Sequence, residues 1–166
     1  MSKIIVIAHD MRSTHNVGSL LRTADGLGIT SVYFTGYTPY PAHEKDTRLP
    51  HIARKLDAQI HKTALGAEKS VEWKHLESLK DALYELKSDG YRIVALEQDA
   101  KSIPLSSYER NDQKIGLVLG NERDGLNADS LALVDDIIEI PMLGNKESLN
   151  VVQAAAIALY TLIHYA

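Results

Sequence analysis

Three short segments concentrate the side chains able to do chemistry. The first reads His9-Asp10-Met11-Arg12-Ser13-Thr14-His15-Asn16-Val17-Gly18-Ser19 and continues through Leu20-Leu21 to Arg22. A guanidinium carries five donors in a fixed fork, which suits a phosphate or a carboxylate. Gly18 allows a close backbone approach, and free N–H groups at a helix start attract anions. The second segment is Gly120-Asn121-Glu122-Arg123-Asp124-Gly125-Leu126. It is no Walker loop, since Leu126 stands where the lysine belongs. Glu122 could bind a hydroxyl or an arginine. The third is Ile140-Pro141-Met142-Leu143-Gly144-Asn145-Lys146-Glu147-Ser148-Leu149-Asn150. Each segment alone also reads as an ordinary turn or a capped helix with solvated charges. Their combination of Gly with Asn and with Arg, Glu or Ser is what asks for an explanation.

The elements that must position these segments follow from hydrophobic patterning. Apolar runs at Ile4–Ala8, Ser31–Thr35, Arg92–Leu96, Ile115–Leu119 and Asp136–Ile140 read as strands. Helical spacing links Val17, Leu20, Leu21, Ala24 and Leu27, with Asn16 as N-cap and Gly28 as stop. A second helical face holds Leu49, Ile52, Ala53, Leu56 and Ile60, and a third holds Leu76, Leu79, Leu83 and Leu86 before Gly90. A short helix over Ala128–Val134 and a last one from Leu149 to Tyr165, capped by Ser148 with Asn150 in its first turn, complete the reading. Strands apolar on consecutive positions are buried on both faces, so the fold class is α/β with a mainly parallel sheet flanked by helices. Ligands of such sheets sit beyond the carboxyl ends of the strands. The three polar segments follow Ala8, Leu119 and Ile140, at those ends.

Composition narrows the chemistry. With 18 Lys and Arg against 22 Asp and Glu the net charge is −4, so a nucleic-acid partner would be met through a local patch, not an overall basic surface. There is no Cys, which excludes thiol nucleophiles, Cys-ligated zinc and iron–sulfur clusters and fits a reducing cytoplasm. No HExxH, GxSxG or GxGxxG pattern is present, and no metal is expected. No targeting or membrane segment is visible, and the 166 residues read as one domain.

Taken together, the segments resemble a known family. Asn16-Val17-Gly18-Ser19-Leu20-Leu21-Arg22-Thr23-Ala24-Asp25 is similar to the first motif of the SpoU/TrmH-type RNA 2′-O-ribose methyltransferases. Leu119-Gly120-Asn121-Glu122 through Gly125-Leu126 is similar to the second, and Ile140-Pro141-Met142 through Ser148-Leu149-Asn150-Val151 to the third. His61 to Glu68 resembles a stretch found in one subgroup, whereas Val152-Gln153 departs from the small residues that many members carry. The resemblance implies an α/β domain with a deep C-terminal trefoil knot, a homodimer, and S-adenosylmethionine as cofactor. It further implies that Asn16, Arg22, Glu122, Ser148 and Asn150 are the catalytic polar residues. Leu119, Gly120, Ile140, Met142, Ser148 and Leu149 would hold the cofactor. The implied reaction is methyl transfer to a ribose 2′-OH of tRNA or rRNA. The alternative is a non-catalytic member that only binds cofactor or RNA, against which all five polar positions stand intact. A nucleotide-phosphate enzyme would lack both a P-loop lysine and an evident magnesium carboxylate pair.

Two surface expectations follow. Arg48, His51 and Lys55 at i, i+3 and i+7, continued by Lys62, read as a solvent-side stripe that could grip RNA phosphates together with Arg12. Val152, Ala155, Ala156, Leu159 and Ile163 form a face with small residues suited to close helix packing across a dimer.

Overall fold

In the computed structural model, which describes residues 3–110 and 114–165, seven parallel strands form one sheet. In chain order these are β1 (Lys3–His9), β2 (Ser31–Thr35), β3 (Glu72–Leu76), β4 (Arg92–Leu96), β5 (Ile103–Pro104), β6 (Lys114–Leu119) and β7 (Asp136–Glu139). Their spatial order is β3-β2-β1-β6-β4-β7-β5. Consecutive residues of β1 and β6 are buried because both faces of the sheet are covered. Helices α1 (Thr14–Gly26), α2 (Pro50–Ala64), α3 (Ala67–Ser70) and α6 (Val151–His164) belong to one face. There Val6, Leu20, Leu21, Phe34, Ile60, Leu117 and Leu159 share a core. Helices α4 (Leu79–Ser88) and α5 (Ala128–Leu131) belong to the other, where Ile7, Leu83, Leu86 and Ile93 pack together.

The topology places the loops. From β1 the chain winds outward to β2 and β3; β6 then returns to lie beside β1, with Ala8 opposite Leu119. This is a switch point, and the loops after β1 and β6 leave the sheet side by side there. On the other flank of β6, Leu96 at the end of β4 lies opposite Leu119 and Ile138.

Several boundaries differ from the expectations. The N-cap of α1 is Ser13, whose hydroxyl accepts from the Asn16 N–H; Asn16 therefore lies inside the first turn with its side chain free for other work. The N-cap of α6 is Asn150, which accepts from the Val152 N–H, and Ser148 is an exposed loop residue. Leu76 ends strand β3 instead of opening a helix; Ser78 caps α4. The Glu-Trp-Lys-His-Leu run of β3 is only partly buried, as expected of an outer strand, and lacks the apolar run by which the others were read. The strand expected to reach Ile140 ends at Glu139, and the helix expected to reach Val134 ends at Leu131. Leu49 precedes α2 and is 60% exposed, so the α2 core face rests on Ala53, Ile60 and Ala64.

Gly18 decides how α1 meets α2. A Cβ there would lie 2.2 Å from both the Ile60 carbonyl oxygen and the Thr63 Oγ1. The two helices touch backbone to backbone, and the Thr63 hydroxyl donates to the His15 carbonyl at 2.9 Å. The close approach foreseen for Gly18 is thus made by a helix of the same chain.

Candidate functional site

The loop after β1 turns sharply. Asp10 adopts a left-handed conformation (φ 53°), the Met11 side chain is fully buried, and the next two backbone N–H groups face the loop after β6. Both are received by Glu122: Arg12 donates to its Oε2 and Ser13 to its Oε1, each at 2.9 Å. The Asn16 side-chain amide donates to the same Oε1 at 3.0 Å. Burial pushes the Glu122 carboxyl up. The N–H donors of Arg12, Ser13 and Asn16 outweigh that effect and hold its pKa below the ordinary value, so it is a carboxylate at neutral pH.

The loop after β6 owes its shape to Gly120, Asn121 and Gly125. Asn121 and Gly125 exchange two backbone hydrogen bonds, and a Cβ on Gly120 would come within 2.6 Å of the Gly125 backbone. The buried Asn121 side chain accepts from the Arg123 and Asp124 N–H groups. It also donates to the Asp10 carbonyl and the Tyr37 hydroxyl, fastening this loop to the one after β1. The third loop joins through Asn150, whose amide donates to the Asn16 Oδ1 at 3.3 Å. A side-chain sequence Asn150–Asn16–Glu122 therefore ties all three loops together.

Beside Glu122 a cleft opens beyond the ends of β4, β6 and β7. Leu119, Gly120, Ile140, Met142, Ser148 and Leu149, the six residues expected to hold a cofactor, all line it. Among the five expected catalytic residues, Glu122 and Ser148 line it as well, and Asn16 and Asn150 reach its rim through Glu122. Arg22 does not line it. The walls also include Leu96, Glu97 and Gln98, which patterning alone did not single out. Glu97 accepts from the Leu126 N–H, and Gln98 donates to the Glu147 carbonyl, so this fourth loop braces the second and third. The available signal was its place after a central parallel strand.

A model of the SpoU rRNA Methylase family matches residues 3–160. The chain belongs to this family. A tRNA (guanosine(18)-2′-O)-methyltransferase of Borreliella burgdorferi is 30% identical over 157 residues, which are 95% of this chain and 64% of the relative. The 23S rRNA (guanosine-2′-O-)-methyltransferase RlmB of Acinetobacter baylyi is 30% identical over 158 residues, 95% of this chain and 58% of that one. The chain thus spans less than two thirds of either relative. The AdoMet-bound rRNA methyltransferase of Sinorhizobium meliloti superposes with a TM-score of 0.81 at 21% identity, covering all of this chain and 58% of the other. The TrmH/SpoU tRNA modifying enzyme of A. aeolicus gives 0.77 at 26% identity, covering 98% and 74%.

In this SpoU methylase chain the expected cationic stripe is rearranged. Arg48 lies outside α2, and its guanidinium is committed internally. It donates to both Asp46 carboxylate oxygens and to the Tyr40 and Pro41 carbonyls, and lies 3.7 Å from the Tyr40 ring centroid. Arg48 is a clamp for the 36–49 loop, and its donors are not available to a phosphate. His51, Lys55 and Lys62 are exposed on α2, and Arg12 is exposed beside Tyr37. Arg22 shares a depression with Ser19, Thr23, Lys62 and Thr63.

Most of the α6 face expected to meet a second subunit is turned inward. Val152, Ala155 and Leu159 are buried in this chain's own core. Exposed instead are Ile157 (44%) and Tyr160 (48%), which with Ala156 and Thr161 line a groove against Thr23, Gly26 and Leu27 of the α1 end. Among the described residues no group of three His, Asp or Glu side chains gathers as for a metal ion, and no helix is long and apolar enough to cross a membrane.

Proposed function

We propose that this SpoU-family chain transfers a methyl group from S-adenosylmethionine to a ribose 2′-OH of tRNA or rRNA, the reaction class named for its relatives. The observation that carries the reading is the Asn150–Asn16–Glu122 sequence at the rim of a cleft walled by Leu119, Ile140, Met142 and Leu149. The cleft suits the cofactor. Its aliphatic walls fit an adenine face, and the carboxylates of Glu97, Glu122 and Glu139 around it suit a cationic sulfonium and ammonium. When bound, the cofactor supplies the electrophilic methyl carbon.

The chain's own residues position the nucleophile. Methyl transfer by in-line displacement depends on orientation and exclusion of water more than on a strong electrophilic catalyst. Glu122 holds Asn16 by its amide, which leaves Asn16 and Asn150 as a fixed pair of polar groups facing the ribose. Ser148, exposed on the cleft wall, adds a hydroxyl. As the O–CH3 bond forms, the S–CH3 bond would break and the ribose hydroxyl would give up its proton to solvent water. Arg22, a permanent cation, would grip the neighbouring phosphate and lower the cost of the developing alkoxide.

Arg22 lies away from the cleft of its own chain, while Thr23 next to it borders the apolar α1–α6 groove. A homodimer closing on that groove would bury Ile157 and Tyr160 and carry Arg22 toward the partner's cleft. The reading includes the deep C-terminal trefoil knot of the family and a cytoplasmic location. Arg12, His51 and Lys55 are further RNA contacts in this reading.

The test is transfer of labelled methyl groups from S-adenosylmethionine into total tRNA and rRNA, followed by digestion to nucleosides. Label in 2′-O-methyl nucleosides is expected. Cofactor binding without transfer to either RNA would leave only a binding protein, and label on a base would assign a different reaction.

A further inference from the structure

The depression between α1 and α2 lies outside the cleft, and its charge is unbalanced. Arg22 from α1 and Lys62 from α2 both line it. The only acidic residues on α1, α2 and α3 are Asp25, Asp57 and Glu68. Each is engaged elsewhere: Asp25 accepts from the Ser70 hydroxyl at 2.6 Å, and Asp57 from the Ala42 N–H at 2.9 Å. Glu68 bonds His61 at 2.6 Å and accepts from the Gly66 N–H. No acidic side chain lines the depression, so its two cations present net positive charge to an incoming anion.

The depression is also supplied with donors. Thr63, which lines it, is anchored by its hydroxyl to the His15 carbonyl, next to the point where Gly18 lets the helix backbones touch. Ser19 and Thr23 line the same depression. A planar guanidinium and an ammonium in one depression, with a serine and a threonine beside them, suit a tetrahedral oxyanion. Because Thr23 also lines the α1–α6 groove, an anion seated here would lie at the edge of the surface proposed to meet a second subunit.

We propose that Lys62 and Arg22, with the Ser19 and Thr23 hydroxyls, form a seat for a single RNA phosphodiester, with Thr63 as the residue that positions α2 to make it. This rests on the RNA methyltransferase reading of the cleft. It moves Lys62 from a stripe along α2 to a site shared between two helices, and it makes a quantitative demand. Two cations that grip the same phosphate are energetically coupled, whereas cations on separate phosphates act additively.

The experiment measures binding of unfractionated tRNA by fluorescence anisotropy, over a series of salt concentrations, for wild type, K62Q, K62R, R22Q and the K62Q/R22Q pair. K80Q, on the opposite face of the sheet, is the control. K62Q is expected to weaken binding about tenfold in the wild-type background and clearly less in the R22Q background. K62R should recover most of the loss, and K80Q should bind as wild type. Wild-type protein that methylates RNA while K62Q binds undiminished, or shows the same loss with and without Arg22, would overturn the seat and leave the reading of the cleft standing. Wild-type protein that binds RNA with the coupled K62Q loss but transfers no methyl group would sustain the seat and overturn that reading.

Discussion

The carboxylate of Glu122 accepts the side-chain amide of Asn16 at 3.0 Å across 106 residues of chain. The same carboxylate terminates the Arg12 and Ser13 N–H groups, so one acidic side chain at the end of β6 sets both the turn after β1 and the first turn of α1. Glu122→Gln keeps the shape but presents an NH2 group to some of these donors. Leaving half-buried N–H groups unpaired costs about 1–3 kcal/mol. A fall of that size in urea-denaturation stability, with a large loss of methyl transfer, is the expected result. Stability equal to wild type would show that the donors find other partners.

The same group predicts a pH dependence. The folded pKa of Glu122 is held below the unfolded value of about 4.3. Its contribution is therefore present above the unfolded value and is lost as pH falls through the lower, folded one. The stability gap between wild type and Glu122→Gln should be constant near neutrality and shrink in the acid range. Urea midpoints measured from about pH 7 down to about pH 3, roughly one unit below the unfolded value, check this. A gap that widens toward acid would reverse the sign.

Arg22→Ala should abolish methyl transfer while leaving cofactor affinity within a few-fold, since Arg22 is exposed on α1 and absent from the cleft wall. Arg22→Lys should restore little, because a point charge does not reproduce the planar fork. Transfer assays beside calorimetric titration with S-adenosylmethionine separate the two effects. Turnover near wild type in Arg22→Ala would remove it from the reaction.

Ile157→Glu places a charge in the α1–α6 groove without touching the core, as Ile157 is 44% exposed. A shift from dimer to monomer mass in light scattering is expected, with loss of transfer and retention of the folded spectrum. Unchanged mass would place the subunit contact elsewhere, and a monomeric, fully active wild type would remove the dimer.

Arg48→Ala should act on stability, not on RNA affinity. It removes the stack on Tyr40 and the bonds to Asp46, Tyr40 and Pro41, which together hold the 36–49 loop. Lys55→Glu, on the exposed side of α2, should instead lower the salt dependence of RNA binding by about one phosphate contact. Thermal melts and salt titrations of both variants decide the assignment. A flattened salt slope in Arg48→Ala at unchanged melting temperature would restore it to the RNA surface.

Hydrophobic spacing was enough to place β1, β2, β4, β6 and the cores of α1 and α4, because a strand buried on both faces and a helix buried on one carry their burial in local sequence, while on α6 it missed the buried Ala158 and Leu162 because that helix is apolar on nearly every side. The loops after Ala8, Leu119 and Ile140 were legible for a related reason: they follow central strands, and the sheet gathers the carboxyl ends of those strands, whereas the individual wall residues Leu119, Gly120, Ile140, Met142, Ser148 and Leu149 were legible only through the resemblance of those loops to the family motifs. What local patterning could not decide is pairing. Whether Asn16 caps its own helix or donates to Glu122, and whether Arg48 faces solvent or binds Asp46 and Tyr40, depends on which partner is within 3 Å. That distance is set by the return of β6 to the side of β1 and by the path of the 36–49 loop. Arg22 and Lys62 are 40 positions apart on helices that only the bare backbone at Gly18 allows to meet. Charge and hydrogen-bond capacity are properties of a residue, but their complement is supplied by a neighbour that the sequence lists far away and the fold brings near.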